Sequence, residues 1–289
     1  MPVLSEPSAG SDLAGIQTRA SRGTDGAWTV DGAKIWSSFA HLADWGMCLA
    51  RTNWEVPKHK GLTWFGVPCD AEGLTIRPIK QIGGSSDFCE EFLDGVVVPD
   101  TERIGEVDHG WSVTSTLLFF ERGAGRPDAV ETPDDPGVLP ADLLALARRH
   151  NRLGDDHVLR EMTTAHVEDY AVRQLKARIA TQARRGTADA GVAAYGKLAL
   201  SGATAAQARA ALDIAGPSAV MWDPNVPGSN AVARAFLDSK KPAIAGGTEQ
   251  MQRNGVAERV LGLPRDPSTD SRIPFSEVLE QARMWRNRP

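Results

Sequence analysis

"GWSVTSTLLFFERG", residues 110–123, marks the point where the chain changes period. From here onward apolar residues recur at intervals of three and four, in "PADLLALARRHNRL", "DHVLREMTTAHVEDYAVRQLKARIATQARRG" and "AAYGKLALSGATAAQARAALDIAG", which is the period of a helix with one buried face. Before it the runs are short. "AWTVDGAKIWSS", "WGMCLARTN", "KGLTWFGVP", "GLTIRPIKQI" and "CEEFLDGVVVP" are rich in β-branched and aromatic residues and are separated by Gly, Pro and Asp turns, so they read as strands. Asp31-Gly32 carries the signal of a hairpin turn. The expected architecture is α+β: a β-barrel or sandwich followed by a helical bundle, with boundaries at 1–108 for the strands, 109–264 for the helices and 265–289 for a weakly ordered tail that holds at most a short helix at "FSEVLEQARMW". "AGRPDAVETPDDPGVLPAD", residues 124–142, has too many prolines to continue a helix and reads as an exposed loop.

The length of 289 residues suits two domains, and 42% hydrophobic with 24% charged residues is an ordinary globular balance. A net charge of -5 speaks against a nucleic-acid partner. The three cysteines, Cys48, Cys69 and Cys89, lack CxxC spacing and read as reduced, mostly buried thiols. The six histidines show no HxxxH or HExxH spacing, so no metal site is expected. P-loop, GxSxG and strand-linked GxGxxG motifs are missing from the sequence. Without an apolar run long enough to span a bilayer, or a signal core at the N-terminus, the expectation is a cytoplasmic protein with no membrane span.

Several short stretches can bear chemistry. "LSEPSAGSD", residues 4–12, offers backbone N–H groups and the hydroxyls of Ser5 and Ser11 to a polar ligand edge, or forms a plain turn. "KIWSSF" sets Trp36 beside Ser37 and Ser38 at a strand end, where an indole can wall a flat ring or simply pack in a core. In "AIAGGTEQMQRN" the glycines allow close approach of a ligand or a tight helix entry capped by Thr248. Glu121, beside Arg122 at the end of an apolar run, is either a helix-face charge or a base at the rim of an apolar pocket.

Taken in order, "LSEPSAGSD", "WSS", "FERG" and "AGGTEQMQRNGVAERVLGLP" make the chain resemble the acyl-CoA dehydrogenase family over about residues 3–264, most closely the actinobacterial-type members of lipid and sterol side-chain breakdown. The resemblance implies an FAD-dependent oxidoreductase that introduces an α,β double bond into an acyl-CoA thioester and passes electrons to an electron-transfer flavoprotein. It places Ser5 at the flavin pyrimidine edge, Gly10 beside it, Ser11 at the substrate, Trp36 on the isoalloxazine and Ser38 near flavin N5. Thr248 and Gln250 fall on the adenine side of FAD, and Gly216 in a turn reaching a neighbouring subunit's FAD, with Pro217 where a second glycine is usual.

Many relatives carry the catalytic glutamate just before the Gly-Thr pair, where this chain has Gly246. Others place it before an arginine on the helix that opens the C-terminal domain, which implies Glu121 as base and Arg122 as its partner near substrate, with the Gly246 N–H donating to the thioester carbonyl together with a flavin ribityl hydroxyl. Two expectations depart from the family pattern: an absent N-terminal helical domain, and an absent Arg-x-x-Phe-Gly segment, for which Arg149 or Arg152 is the candidate substitute. They raise an alternative, a truncated or non-catalytic subunit that completes a partner's FAD site in a homo- or hetero-oligomer. A flavin monooxygenase-like activity is a third reading.

Overall fold

The structure is a computed structural model that describes residues 1–121, 143–188, 191–221, 223, 225, 228–265, 267–268 and 270–286. Arg122 and the proline-rich 124–142 stretch lie outside the described residues. The chain divides into two compact units, Met1–Leu117 with Asp266–Pro289, and Leu118–Arg265.

The first unit is built on strands β1 (Pro2–Val3), β2 (Arg19–Arg22), β3 (Trp28–Ser38), β4 (Trp45–Arg51), β5 (Leu62–Pro68), β6 (Leu74–Ile79), β7 (Phe88–Val98) and β8 (Arg103–Ile104). They form one eight-stranded sheet in the order β6-β7-β3-β2-β4-β5-β8, with β1 joined to β4. The path ends at β6 and β8, so the expected barrel is not closed: the α+β class holds, with an open sheet in place of the barrel. Both faces of β4 and β5 are covered. Cys48, Ala50, Phe65 and Val67 pack with Trp28, Val30, Leu93, Val96 and Val98 on one side, and Leu49, Leu62 and Trp64 with Ile16 on the other. Burial on both faces explains why "LTWFGV" places large apolar residues at adjacent positions, Trp64 and Phe65, instead of alternating them with charged ones.

The hairpin signal at Asp31-Gly32 is corrected by the ladder. β3 runs straight through these residues, and its register against β7 shifts between Val30 and Gly32, which is a bulge. A Cβ on Gly32 would lie 2.8 Å from the Thr18 Cα, so glycine is needed there for close approach of another chain segment. The turn between β2 and β3 falls instead at Asp25-Gly26, where Gly26 takes φ +88° and the Gly23 amide donates to the Ala27 carbonyl at 2.7 Å.

Arg51 gathers three segments of this unit. Its guanidinium is buried and donates to the carbonyls of Ile16 (3.1 Å), Ala14 (2.6 Å) and Lys58 (3.2 Å). It also lies 3.8 Å from the ring centroid of Phe275, the first residue of a C-terminal helix, Phe275–Arg286, over the stretch where the sequence allowed a short one. Amides of Phe275 and Ser276 donate to Val56 and Trp54, and Lys58 bridges Asp12 (2.9 Å) and Asp270 (2.6 Å).

The boundary between the units falls within α1 (Gly110–Glu121). The second unit continues with α2 (Leu143–Arg149), α3 (Asp156–Arg184), α4 (Val192–Ala215), α5 (Ala231–Asp238), α6 (Lys241–Ile244) and α7 (Glu249–Arg259); the C-terminal helix of the first unit is α8. Asp155 caps α3, accepting from the amides of His157 (2.9 Å) and Val158 (3.3 Å). Along its 29 residues α3 buries Val158, Ala165 and Val172, a heptad stripe that needs only one apolar neighbour. α4 supplies it, and Leu146, Val158, Ala211, Ile214 and Val232 form the core of this unit.

Arg51→Met keeps most of the volume but strands the carbonyls of Ala14, Ile16 and Lys58 without a donor, so it should cost roughly 2–4 kcal/mol. Urea denaturation of the two proteins measures this; a loss under ~1 kcal/mol would mean water replaces the guanidinium.

Candidate functional site

In the first unit a loop and a strand end meet. The Ile35 amide donates to the Ser5 carbonyl at 2.9 Å, which fastens the start of the "SEPSAGSD" loop to β3 one residue before Trp36. Within the loop the amides of Glu6 and Ala9 exchange hydrogen bonds (3.1 and 3.0 Å), which turns Pro7 and Ser8 outward. Gly10 and Ser11 are exposed, Ser5 is half-buried, and a Cβ placed on Gly10 would meet nothing within 4 Å.

Trp36 occupies the bulge between Ile35 and Ser37. Its φ is +69°, a conformation that a bulky side chain rarely adopts and that a bulge enforces. The indole is therefore presented outward, 55% exposed, with its edge set against Phe88 at 6.0 Å between centroids. An aromatic face left open in this way suits a second flat ring. Ser38 is exposed beside it, while Ser37 turns into the core and donates to the Glu91 carboxylate at 3.1 Å.

Beneath this surface lies a buried charge cluster that the sequence reading did not assign. Glu6 accepts from the amides of Gln17 (2.6 Å) and Thr18 (2.8 Å) and pairs with Lys34 at 3.0 Å; the Lys34 ammonium, fully enclosed, also donates to the Leu4 carbonyl at 3.0 Å. Burial alone would raise the Glu6 carboxyl, but Lys34 and the two amides outweigh it and hold the group below the usual carboxylate range. Burial pushes Glu91 up to about 6, against the pull of Ser37 and Lys34. Its second oxygen has no hydrogen-bond partner among the described residues. The signal available in the sequence was parity: Glu91 shares a strand face with Cys89 and Leu93, both buried.

The second unit holds the remaining candidates. Gly246 and Gly247 take φ +65° and +93° in the turn between α6 and α7, and Thr248 caps α7 by accepting from the Met251 amide at 3.3 Å. Ser201 on α4 donates to Glu249 at 2.5 Å, Arg253 pairs with the same carboxylate at 2.9 Å, and Gln252 reaches the Gly247 carbonyl at 3.4 Å. Gln250 is exposed. Gly216 ends α4 with φ +54°, and Pro217 opens a short 3-10 turn after it, where a missing N–H costs nothing. Arg152, paired with Asp155 at 2.7 Å, brings a guanidinium nitrogen to 3.6 Å from where a Gly216 Cβ would stand. Arg149 ends α2. Glu121 is the last residue of α1; its side chain, like Arg122 as a whole, is outside the described part. Ser5, Gly10, Ser11, Trp36 and Ser38 thus lie in the first unit, and Gly216, Gly246, Thr248 and Gln250 in the second. No group of three or more His, Cys, Asp or Glu suited to a metal occurs among the described residues, and no described helix is long and apolar enough to cross a membrane.

The first unit is thus an open sheet with an exposed indole on a bulge, and the second is helical. Residues 3–96 match the family model for the acyl-CoA dehydrogenase middle domain and residues 141–261 the model for the C-terminal domain. The chain is 37% identical to acyl-CoA dehydrogenase FadE34 of Mycobacterium tuberculosis over 91% of its own length and 35% of that protein's. To acyl-CoA dehydrogenase IpdE1 of Mycolicibacterium smegmatis it is 32% identical, covering 91% of this chain and 67% of the relative. A solved Tcur3481-Tcur3483 steroid ACAD (G363A variant) superposes with a TM-score of 0.77 at 30% identity, over 92% of this chain and 69% of the other. The chain belongs to the acyl-CoA dehydrogenase family. It spans about a third of the length of FadE34 and about two thirds of IpdE1.

A carboxyl that holds its proton more tightly when folded makes the folded state lose stability as pH rises, here between the ordinary 4.5 and about 6, after which the loss stays constant. Glu91→Gln cannot ionise, so it should gain about 2 kcal/mol on the wild type between pH 4.5 and pH 7.5. Denaturation curves across that range test this, and a difference that does not change with pH would show that Glu91 titrates normally.

Proposed function

We propose that the chain is an FAD-dependent acyl-CoA dehydrogenase subunit that desaturates an acyl-CoA thioester at the α,β position. The observation that carries this is the Trp36 bulge: an indole held open by its backbone, with the Ser5 loop fastened one residue away. The donor set fits a flavin. A flat apolar face, the exposed backbone at Gly10 and the hydroxyls of Ser5 and Ser38 match a ring with a polar edge. FAD, when bound, would supply the acceptor for the β-hydride. Ser5 and Gly10 would hold its pyrimidine edge, Trp36 would cover its ring, Ser38 would stand at N5, Thr248 and Gln250 would serve the adenine side, and Gly216 would reach the FAD of a neighbouring subunit.

Glu121 is the base that takes the α-proton, with Arg122 beside it and Ser11 toward the acyl-CoA. The α-proton of a thioester is a very weak acid, so the carbonyl must be met by a donor as charge develops on its oxygen, and the Gly246 N–H fills that role. A Cβ on Gly246 would touch nothing within 4 Å, which leaves the approach to this peptide open. Electrons then leave to an electron-transfer flavoprotein in the cytoplasm. Similarity to a steroid ACAD puts steroid-derived thioesters first among substrates. The same solved protein carries two names, Tcur3481 and Tcur3483, which favours a second reading in which this chain completes the FAD site of a non-identical partner.

Purified alone, the full chain should carry flavin absorbance that bleaches anaerobically with one of a panel of straight, branched and steroid-derived acyl-CoAs. Glu121→Gln should keep the flavin and lose bleaching by about 10³-fold. A colourless chain that gains flavin only with a second subunit supports the heteromeric reading, and bleaching at the wild-type rate in Glu121→Gln removes the base assignment.

A further inference from the structure

The Gly246 N–H has a rigid partner across its own peptide bond. The peptide joining Ala245 to Gly246 is planar, with the Ala245 carbonyl and the Gly246 N–H pointing in opposite directions. Whatever grips that carbonyl therefore aims that N–H. The Lys197 side chain does the gripping: from α4 its ammonium donates to the Ala245 carbonyl and to the Pro242 carbonyl one turn earlier. One helical turn further along α4, Ser201 donates to Glu249, so a single face of α4 holds the segment on both sides of the glycine pair.

We propose that Lys197 is the positioning residue for thioester activation: by binding the Ala245 carbonyl it sets the direction of the Gly246 N–H and strengthens it as a donor. This rests on the dehydrogenase reading. The strengthening is physical. A cation on the carbonyl of an amide draws electron density from its nitrogen, and hydrogen bonds linked through one peptide polarise each other. Gly246 at φ +65° and Gly247 at φ +93° stand in a region where glycine moves freely, so the turn needs an external anchor to keep one orientation. A plain alternative is that Lys197 only caps the last carbonyls of α6, a role basic side chains often take. A cap contributes to stability and leaves the reaction alone.

The test compares the flavin-loaded wild-type full chain with Lys197→Met and Lys197→Arg. Three quantities are read: the flavin-bleaching rate at saturating acyl-CoA, the thioester affinity, and the infrared carbonyl band of bound acyl-CoA carrying ¹³C at the thioester carbon. Lys197→Met should slow bleaching by roughly 10–100-fold, leave flavin content and affinity within about threefold, and move the bound carbonyl band back toward its free position. Lys197→Arg should recover most of the rate. Unchanged bleaching and an unchanged band in Lys197→Met, with only a lower melting temperature, would leave a cap and overturn the proposal. If Lys197→Met does not fold, Lys197→Gln is read in the same way. A wild-type chain that holds no flavin either alone or with a second subunit defeats the dehydrogenase reading and this proposal together, and it is recognised before any substitution is made.

Discussion

A lysine with no access to solvent must find its partners inside the protein, and Lys34 finds them at both ends of one loop. It holds the Leu4 carbonyl where the loop begins and the Glu6 carboxylate, which in turn holds the amides of Gln17 and Thr18 where the loop ends. The cost of burying two charges is met only when every donor and acceptor is engaged, so the pair tolerates little variation in loop geometry. Because Lys34 lies two residues before Trp36 on β3, the same pair ties the loop carrying Ser5, Gly10 and Ser11 to the strand carrying the indole.

The bulges of β3 have separate causes and separate uses. At Gly32 the strand yields to Thr18, whose backbone approaches so closely that no side chain fits. At Trp36 nothing forces a glycine, and a large aromatic residue is held in a left-handed conformation of the kind that costs on the order of 1–3 kcal/mol. The benefit is orientation. In regular alternation residue 36 would share the sheet face of the buried Lys34; on the bulge the indole stands outward while Ser37 turns inward to Glu91.

Much of the fold could be read from spacing. The long helices α3 and α4 announce themselves through apolar residues at intervals of three, four and seven, and β4 and β5 through dense β-branched and aromatic content. Closure was not legible, because whether a sheet closes depends on which edges pair, and edge strands such as β6 and β8 carry no local mark of their partner. Asp31-Gly32 misled for a related reason. A turn and a bulge favour the same residues, and only the position of Thr18, fourteen residues upstream of Gly32, tells them apart. Of the candidate site, the contiguous loop residues were legible together, whereas Lys197, Lys34 and Arg51 act on carbonyls far away in sequence and look from the sequence like ordinary surface cations.

Gly246 invites two explanations that should be kept apart. Its φ of +65° is sufficient by itself to favour glycine, since any side chain there would be strained by roughly 1 kcal/mol or more. The loss of a carboxylate at this position is therefore no argument that the base has moved elsewhere; a turn before the Thr248 cap would select glycine in a protein with no chemistry at all. The surrounding space is that of an open turn. At Gly32 and Gly73 an added Cβ would run into backbone at 2.8 and 2.3 Å, whereas at Gly246 it would meet nothing within 4 Å. The same clearance surrounds the positive-φ turn glycines Gly26, Gly84 and Gly95, so the open space at Gly246 belongs to an exposed turn, and only the proposed contact with a thioester carbonyl would give it a chemical use.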